Sequence, residues 1–152
     1  MKPEETIDFN IRWAWHRIAR MYNTEAAKYG MTMSVGYVLL NIDMEEGTPS
    51  TKLGPKMGME PRSLTRILKS IEEKGLIERK SDKQDGRMVR IHLTEKGLDA
   101  REVSRETVLK FNHFIYDNIP KKKLKGFFEV VGKLSEILEN NDIFNNHEKK
   151  KN

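Results

Sequence analysis

No cysteine occurs among the 152 residues, which excludes disulfides, thiolate metal sites and thiol-based redox sensing together. No stretch approaches the roughly 18 consecutive apolar residues of a membrane span. The opening MKPEETIDFN lacks the basic-then-apolar order of a secretory signal, so the cytoplasm is the expected compartment. The four histidines, His16, His92, His113 and His147, have no ligand-like spacing, so neither a metal nor another cofactor is expected. Also missing are a nucleophile motif, a phosphate-cradling glycine loop and a paired acid and base, and no enzyme is expected.

What the chain does have is charge, and the charge is unevenly placed. The net +5 of the chain becomes informative when the sequence is divided. Residues 1–49 hold 5 Lys/Arg against 7 Asp/Glu, residues 50–93 hold 11 against 6, and residues 94–152 hold 12 against 10. The excess of the last part sits in the tail from His147 to Asn152. The middle segment therefore carries an excess equal to that of the whole chain. A basic patch confined to one folded segment is the electrostatic footprint of a polyanion partner, although a solvated lysine-rich surface has the same composition.

Periodicity supplies the architecture. Ile7, Ile11, Ala14, Ile18 and Tyr22, with Trp15 beside them, form one apolar stripe on a helix expected from about Thr6 to Lys28, ended by Gly30. Thr32 is suited to cap a second helix reaching Glu45 or Glu46, with Val35, Val38, Leu39 and Ile42 inward and Gly47 as its stop. Ser50 reads as the cap of a short helix ending near Met57, with Gly58 in the left-handed position. Pro61 fits the first turn of the next helix, where its missing N–H costs nothing. That helix turns Leu64, Ile67, Leu68 and Ile71 to one side and stops at Lys74-Gly75. Two helices joined by so short a turn make a helix-turn-helix.

The period then shortens. Leu76–Lys80 and Arg87–Leu93 read as strands around the polar turn SDKQDG (Ser81–Gly86), a β-hairpin wing. Thr94 is placed to cap a long helix to about Asp117. Pro120 opens the last, in which Leu124, Phe127, Phe128, Val131, Leu134 and Leu138 recur in helical register. From Asn140 onward the apolar content is too low to sustain order, apart from an anchor at Ile143-Phe144. The expected fold class is mainly α with a small β-hairpin, a winged helix-turn-helix with N- and C-terminal dimerisation helices. Residues 1–31 and 94–145 would be the dimerisation helices, residues 32–93 the DNA-binding lobe and residues 146–152 a disordered tail.

On the helix after Pro61, the face opposite the apolar side carries Arg62, Arg66, Lys69 and Glu73, flanked by Ser63 and Thr65. Such a face suits the major groove, where Arg pairs with guanine and Ser or Thr reaches bases or phosphates. An ordinary amphipathic surface helix would also place charges outward. The hairpin adds Arg79, Lys80, Lys83, Arg87 and Arg90 in fewer than 20 residues. A narrow minor groove concentrates negative potential that attracts a cation at a hairpin tip. Asp85, two residues before Arg87, can hold the guanidinium in one rotamer or satisfy the backbone of the turn at Gly86, and the two roles can coexist.

The run SLTRILKSIEEKGLIERK (Ser63–Lys80) followed by SDKQDGRMVRIHLTEKG (Ser81–Gly97) resembles the MarR family of transcription regulators, and the similarity of element order covers roughly residues 6–140. The aspartate-x-arginine wing element and the leucine-threonine-x-x-glycine that closes it are the family's usual form. The resemblance implies that the 61–74 helix reads the major groove and that Asp85 orients Arg87 in the minor groove. One departure is Gly54-Pro55 in the short helix, where the family has good helix formers, and Pro55 threatens one hydrogen bond there.

The first and last helices have more apolar surface than a small winged helix covers, and Phe111, Phe114, Ile115, Phe127 and Phe128 fall where the family's dimerisation arms lie. An isologous homodimer and an operator that is an imperfect inverted repeat follow. The expected function is sequence-specific double-stranded DNA binding by a repressor released by a small molecule. The other class is a winged-helix adaptor between proteins that binds no DNA. For a small aromatic or anionic effector, Trp13, His16, Arg17, Arg20 and Tyr37 are the candidates, and the resemblance implies a pocket for phenolic acids. The same residues would equally serve to pack across a dimer interface.

Overall fold

The computed structural model describes residues 1–140, so the tail at 146–152 and the anchor at Ile143-Phe144 lie outside the described residues. Two compact units are present, Met1–Val108 and a second beginning at Leu109. The first unit thus takes in more than the 32–93 lobe. It also holds the first helix and the opening half of the fifth.

Helix α1 spans Ile7–Ala27. Thr6 precedes it in extended conformation, but its hydroxyl donates backward to the Pro3 carbonyl at 2.9 Å instead of capping the helix. Helix α2, Met33–Asn41, is capped by Thr32, whose Oγ1 accepts the Val35 N–H at 3.3 Å. It ends four residues short of the expected Glu45. The reason is local: Asp43 Oδ1 accepts the N–H groups of Glu45 at 3.0 Å and Glu46 at 2.8 Å, and Thr48 Oγ1 accepts that of Asp43 at 2.9 Å. These side-chain acceptors compete with the helical pattern, and Ile42 turns extended into the core instead.

Strand β1, Thr48–Pro49, leads directly into α3, Ser50–Met57, with Pro49 and not Ser50 at the capping position. Pro55 lies inside α3 yet the helix continues to Met57. It sits close enough to the end that few bonds depend on it. Gly58 adopts φ 60°, and the Met59 N–H closes on the Gly54 carbonyl at 3.0 Å. Such a left-handed stop favours glycine, which carries no Cβ penalty there. Helix α4 is Pro61–Glu73, with proline in its first turn. Strands β2, Ile77–Ser81, and β3, Val89–Leu93, complete an antiparallel sheet in the order β1-β3-β2, with Ile77 opposite Leu93 and Ser81 opposite Val89.

The core of this unit is formed by α2, α3, α4 and the sheet. Val38, Leu39, Ile42, Leu53, Ile71 and Ile91 are fully buried. Its junction with α5, Glu95–Asn118, explains the leucine-threonine-x-x-glycine motif. The Thr94 hydroxyl donates to the Gly75 carbonyl at 2.6 Å and accepts the Gly97 N–H at 3.0 Å. A Cβ on Gly97 would lie 1.9 Å from the Leu76 carbonyl oxygen, so the approach of the helix to the chain leaving α4 admits glycine alone.

The helical arms are unlike this core. No residue of α1 is buried, and the N-terminal part of its stripe stays open, with Ile7 60% exposed; only Ile18 and Tyr22 reach half-burial. In the second unit, helix α6, Lys121–Glu139, buries Leu124 alone, while Phe127, Phe128, Val130, Val131 and Leu138 remain exposed.

Candidate nucleic-acid interface

Helix α4 presents the side chains that its pattern promised to solvent. Leu64, Leu68 and Ile71 are buried, and Arg62, Ser63, Thr65, Arg66 and Lys69 are exposed. The Thr65 hydroxyl donates to the Pro61 carbonyl at 2.9 Å, which leaves its oxygen as an acceptor. Among the described residues, Arg62, Arg66 and Lys69 enter no ion pair, so all three charges are available to an outside anion.

The wing's five cations divide into two kinds. Arg79 Nε pairs with Glu72 at 2.9 Å, Lys80 with Glu78 at 2.5 Å, and Arg90 with Asp82. Lys83 and Arg87, in the tip, have no ion-pair partner among the described residues. A cation already beside a carboxylate contributes little to the far field, so Lys83 and Arg87 dominate the potential of the tip.

Asp82, which the sequence reading passed over, organises that tip. Its Oδ1 accepts the N–H groups of Gln84 at 2.7 Å and Asp85 at 3.1 Å, while Oδ2 accepts from Arg90 Nε. The hydrogen bond from Arg90, then those from the two amides, hold its carboxyl down to about 2. Only 4% of the side chain is exposed. Arg90 continues outward from the wing, its Nη1 donating to the carbonyls of Glu46 at 3.0 Å and Gly47 at 3.2 Å. The hairpin is thereby tied to the segment before β1. The available signal was an acid opening a turn and an arginine eight residues on, and the hairpin register brings the two together.

Asp85 Oδ1 accepts the main-chain N–H of Arg87 at 3.0 Å, and the Asp85 carbonyl accepts the N–H of Met88 at 2.9 Å. Among the described residues it makes no ion pair with the Arg87 guanidinium. The aspartate thus acts on the backbone of the turn, as one of its two readings has it, but at the amide of residue 87 and not at that of Gly86. With the acid occupied by the amide, the guanidinium projects unpaired.

A cavity of about 510 Å³ lies within the same unit. Trp15 and Tyr22 of α1, Tyr37 and Leu40 of α2, and Val103 and Thr107 of α5 line it, and Met57 and Met59 bring it to the turn between α3 and α4. Of the five effector candidates, Tyr37 lines this space and Trp13, His16, Arg17 and Arg20 do not. At 100° per residue Trp13 and Trp15 point about 200° apart, and it is Trp15 and Tyr22 that border the cavity, although Trp15 stays 54% exposed. The Trp13 side instead makes its own surface cluster: the Phe9 and Trp13 rings stack 6.3 Å apart, and the Arg17 guanidinium lies 5.4 Å from the Trp13 ring centre. No helix among the described residues is long and apolar enough to cross a membrane.

A helix-turn-helix whose second helix is cationic, followed by a hairpin with an arginine tip, defines a winged-helix DNA-binding protein. Comparison with known proteins narrows the class. The sequence pattern of the MarR family matches residues 31–89. The transcriptional regulator SarZ of Staphylococcus epidermidis is 31% identical over 113 residues, 74% of each chain. Two solved structures share the fold at 18% identity. The MepR–DNA complex of S. aureus superposes with a TM-score of 0.81 over 88% of this chain and 98% of that one. CouR of Rhodococcus jostii RHA1 bound to p-coumaroyl-CoA gives 0.74 over 88% and 94%. The chain belongs to the MarR family of transcription regulators.

Proposed function

We propose that the protein acts in the cytoplasm as a homodimeric repressor that binds an imperfect inverted repeat in double-stranded DNA and leaves it when a small molecule enters the cavity beside α2. The observation that carries the DNA reading is that α4 and the wing tip together expose Arg62, Arg66, Lys69, Lys83 and Arg87, five cations without an ion-pair partner among the described residues. In this reading α4 enters the major groove, with Arg62, Arg66 and Lys69 directed at base edges and phosphates and Ser63 and Thr65 beside them. Lys83 and Arg87 reach the adjacent minor groove. Lys80, drawn toward Glu78, contributes to phosphate binding only by giving up that pair. Asp85 shapes the turn that presents Arg87.

Dimerisation is supported by the apolar side chains left open on α1 and α6, which a second copy would cover. Release by a ligand is supported by the cavity's position. It touches both α1 and the turn between α3 and α4, so an occupant that spreads these elements changes the setting of α4.

The direct test is selection of bound sequences from a random DNA pool, then titration of the selected site at several salt concentrations. Enrichment of an inverted repeat is expected, with log affinity falling against log salt at about −0.9 per phosphate neutralised. No enrichment and a flat salt dependence would favour the protein–protein adaptor instead.

A further inference from the structure

The wing tip carries an apolar side chain as well as its charges. From Ser81 to Arg87 every residue is polar, charged or glycine, and a methionine follows at once. Met88 is 38% exposed, although both of its main-chain groups are engaged. Its N–H donates to the Asp85 carbonyl at 2.9 Å, and its carbonyl accepts the Asp82 N–H at 2.8 Å. The backbone that carries this thioether is thus closed into the same turn that presents Arg87. Asp82 holds that turn in place, accepting the amides of Gln84 and Asp85 and the guanidinium of Arg90. The base of the Met88 side chain is therefore fixed at the tip.

Single exposed apolar side chains are ordinary on protein surfaces; what sets this one apart is its place. It adjoins Arg87, whose guanidinium is read as entering the minor groove, so the DNA that meets one side chain meets the other. The walls of that groove are deoxyribose, largely apolar, and apolar side chains, methionine among them, insert there against the base steps. A lysine or glutamine in this position would lose hydration against the sugars without a partner to replace it. Methionine loses none, and its unbranched, polarizable chain adapts to the groove it meets. Pyrimidine–purine steps unstack most readily and accept such a side chain at the lowest cost.

We infer that Met88 is a specificity residue for DNA: it lies in the minor groove beside Arg87, packs on the sugar walls and favours a pyrimidine–purine step beneath the wing. The inference rests on the reading of the wing tip as a minor-groove element. It adds to that reading a side chain that senses the deformability of the DNA, where Lys83 and Arg87 sense its potential.

The test uses the intact protein and four variants: Met88→Ser, Met88→Leu, Arg87→Ala and Met44→Ser, the last an exposed methionine in the segment before β1. Each is put through selection from a random DNA pool and titrated on the site selected by the wild type at several salt concentrations. The wild type should enrich a TA or CA/TG step at the outer edge of each half-site. Met88→Ser should lose that preference, keep the inner bases and bind about five- to tenfold more weakly. Its salt slope should be unchanged, because no charge is removed, whereas Arg87→Ala should flatten the slope by about 0.9. Met88→Leu should stay within about twofold of the wild type, and Met44→Ser should match it. Met88→Ser that keeps either the wild-type affinity or the step preference would overturn the inference. Equal losses from serine and leucine, or from Met44→Ser, would do the same. Arg87→Ala separates this inference from the reading beneath it. If Arg87→Ala also binds as the wild type does, the wing is not a minor-groove element at all; if it binds weakly while Met88→Ser does not, the wing reading stands and the role of Met88 alone falls.

Discussion

The lobe built from α2, α3, α4 and the three-stranded sheet is finished within one chain, whereas the helical arms are not. In the lobe, apolar side chains face one another and the polar main chain is capped: Thr32 closes the start of α2, Thr94 closes that of α5, and Asp82 collects the amides of the wing. In α1 and α6 an amphipathic pattern is also present, but much of the apolar side meets solvent, with Ile7 and Ile11 of α1 and Phe127, Phe128 and Leu138 of α6 exposed. An amphipathic pattern therefore says that a face will be covered and leaves open by what. The lobe's faces are covered from within; on the proposed reading a second copy covers those of the arms.

The strongest way to break this contrast is to attack the arms. Replacing Phe127 and Phe128 together by Ser should destabilise the dimer by at least about 3 kcal/mol, two aromatic side chains' worth of burial. Sedimentation velocity should then show monomers at concentrations where the wild type is dimeric, with the lobe's circular dichroism retained. An unchanged dimer would mean that α6 is not the face that meets the partner.

The lobe is sharpened by its tightest contact. Gly97→Ala drives a methyl group into the Leu76 carbonyl and should cost about 3 kcal/mol in chemical denaturation, the upper part of the range for overpacking. Gly132→Ala in α6 provides the comparison, since nothing lies within 4 Å of the added Cβ. It should leave the monomer unharmed or stabilise its helix by up to about 1 kcal/mol. Equal losses from the two alanines would erase the distinction between a packed lobe and open arms.

A smaller effect is expected at Asp82, which supports the wing without projecting from it. Its folded-state value is lowered, so the stabilisation it brings is complete above the ordinary value of 3.8 and fades as the pH falls toward about 2. Asp82→Asn should speed amide hydrogen exchange at residues 84–88 about tenfold at neutral pH, by local opening of the tip. It should also remove the wing's own loss of protection between pH 4 and 2. Exchange identical to that of the wild type would show that Arg90 and the turn hold without the carboxylate.

Most of the lobe could be read from the sequence because each element announces itself locally. Pro61, Gly58 and Thr94 mark boundaries, and the change from helical to alternating period at Leu76 marks the wing. The failures share a physical origin. Strand β1 is two residues long and one is proline, too short for any period and placed at the sheet edge, where a missing N–H is tolerated. The early end of α2 depends on side-chain acceptors at Asp43 and Thr48. At the site, outward cations were legible from the helical wheel, but which of them are free was not. Arg79 meets Glu72 across the end of α4, and Arg90 reaches Glu46 and Gly47 from 44 and 43 residues away. Such pairings depend on the register of the sheet. The effector candidates on α1 show the same limit, because both of its faces carry a tryptophan and packing alone decides which one turns toward the cavity.

The central claim is that the unpaired cations of the lobe, and not its total positive charge, bind DNA. Arg87→Ala and Arg79→Ala remove the same charge from the same hairpin, one from the open tip and one from the pair with Glu72. Their affinities for the selected operator, measured side by side at one salt concentration, test the claim most directly. Arg87→Ala should lose about 1–3 kcal/mol, the worth of a good groove contact, and Arg79→Ala well under 1 kcal/mol, as for an exposed pair. Equal losses, or full binding by Arg87→Ala, would contradict the account.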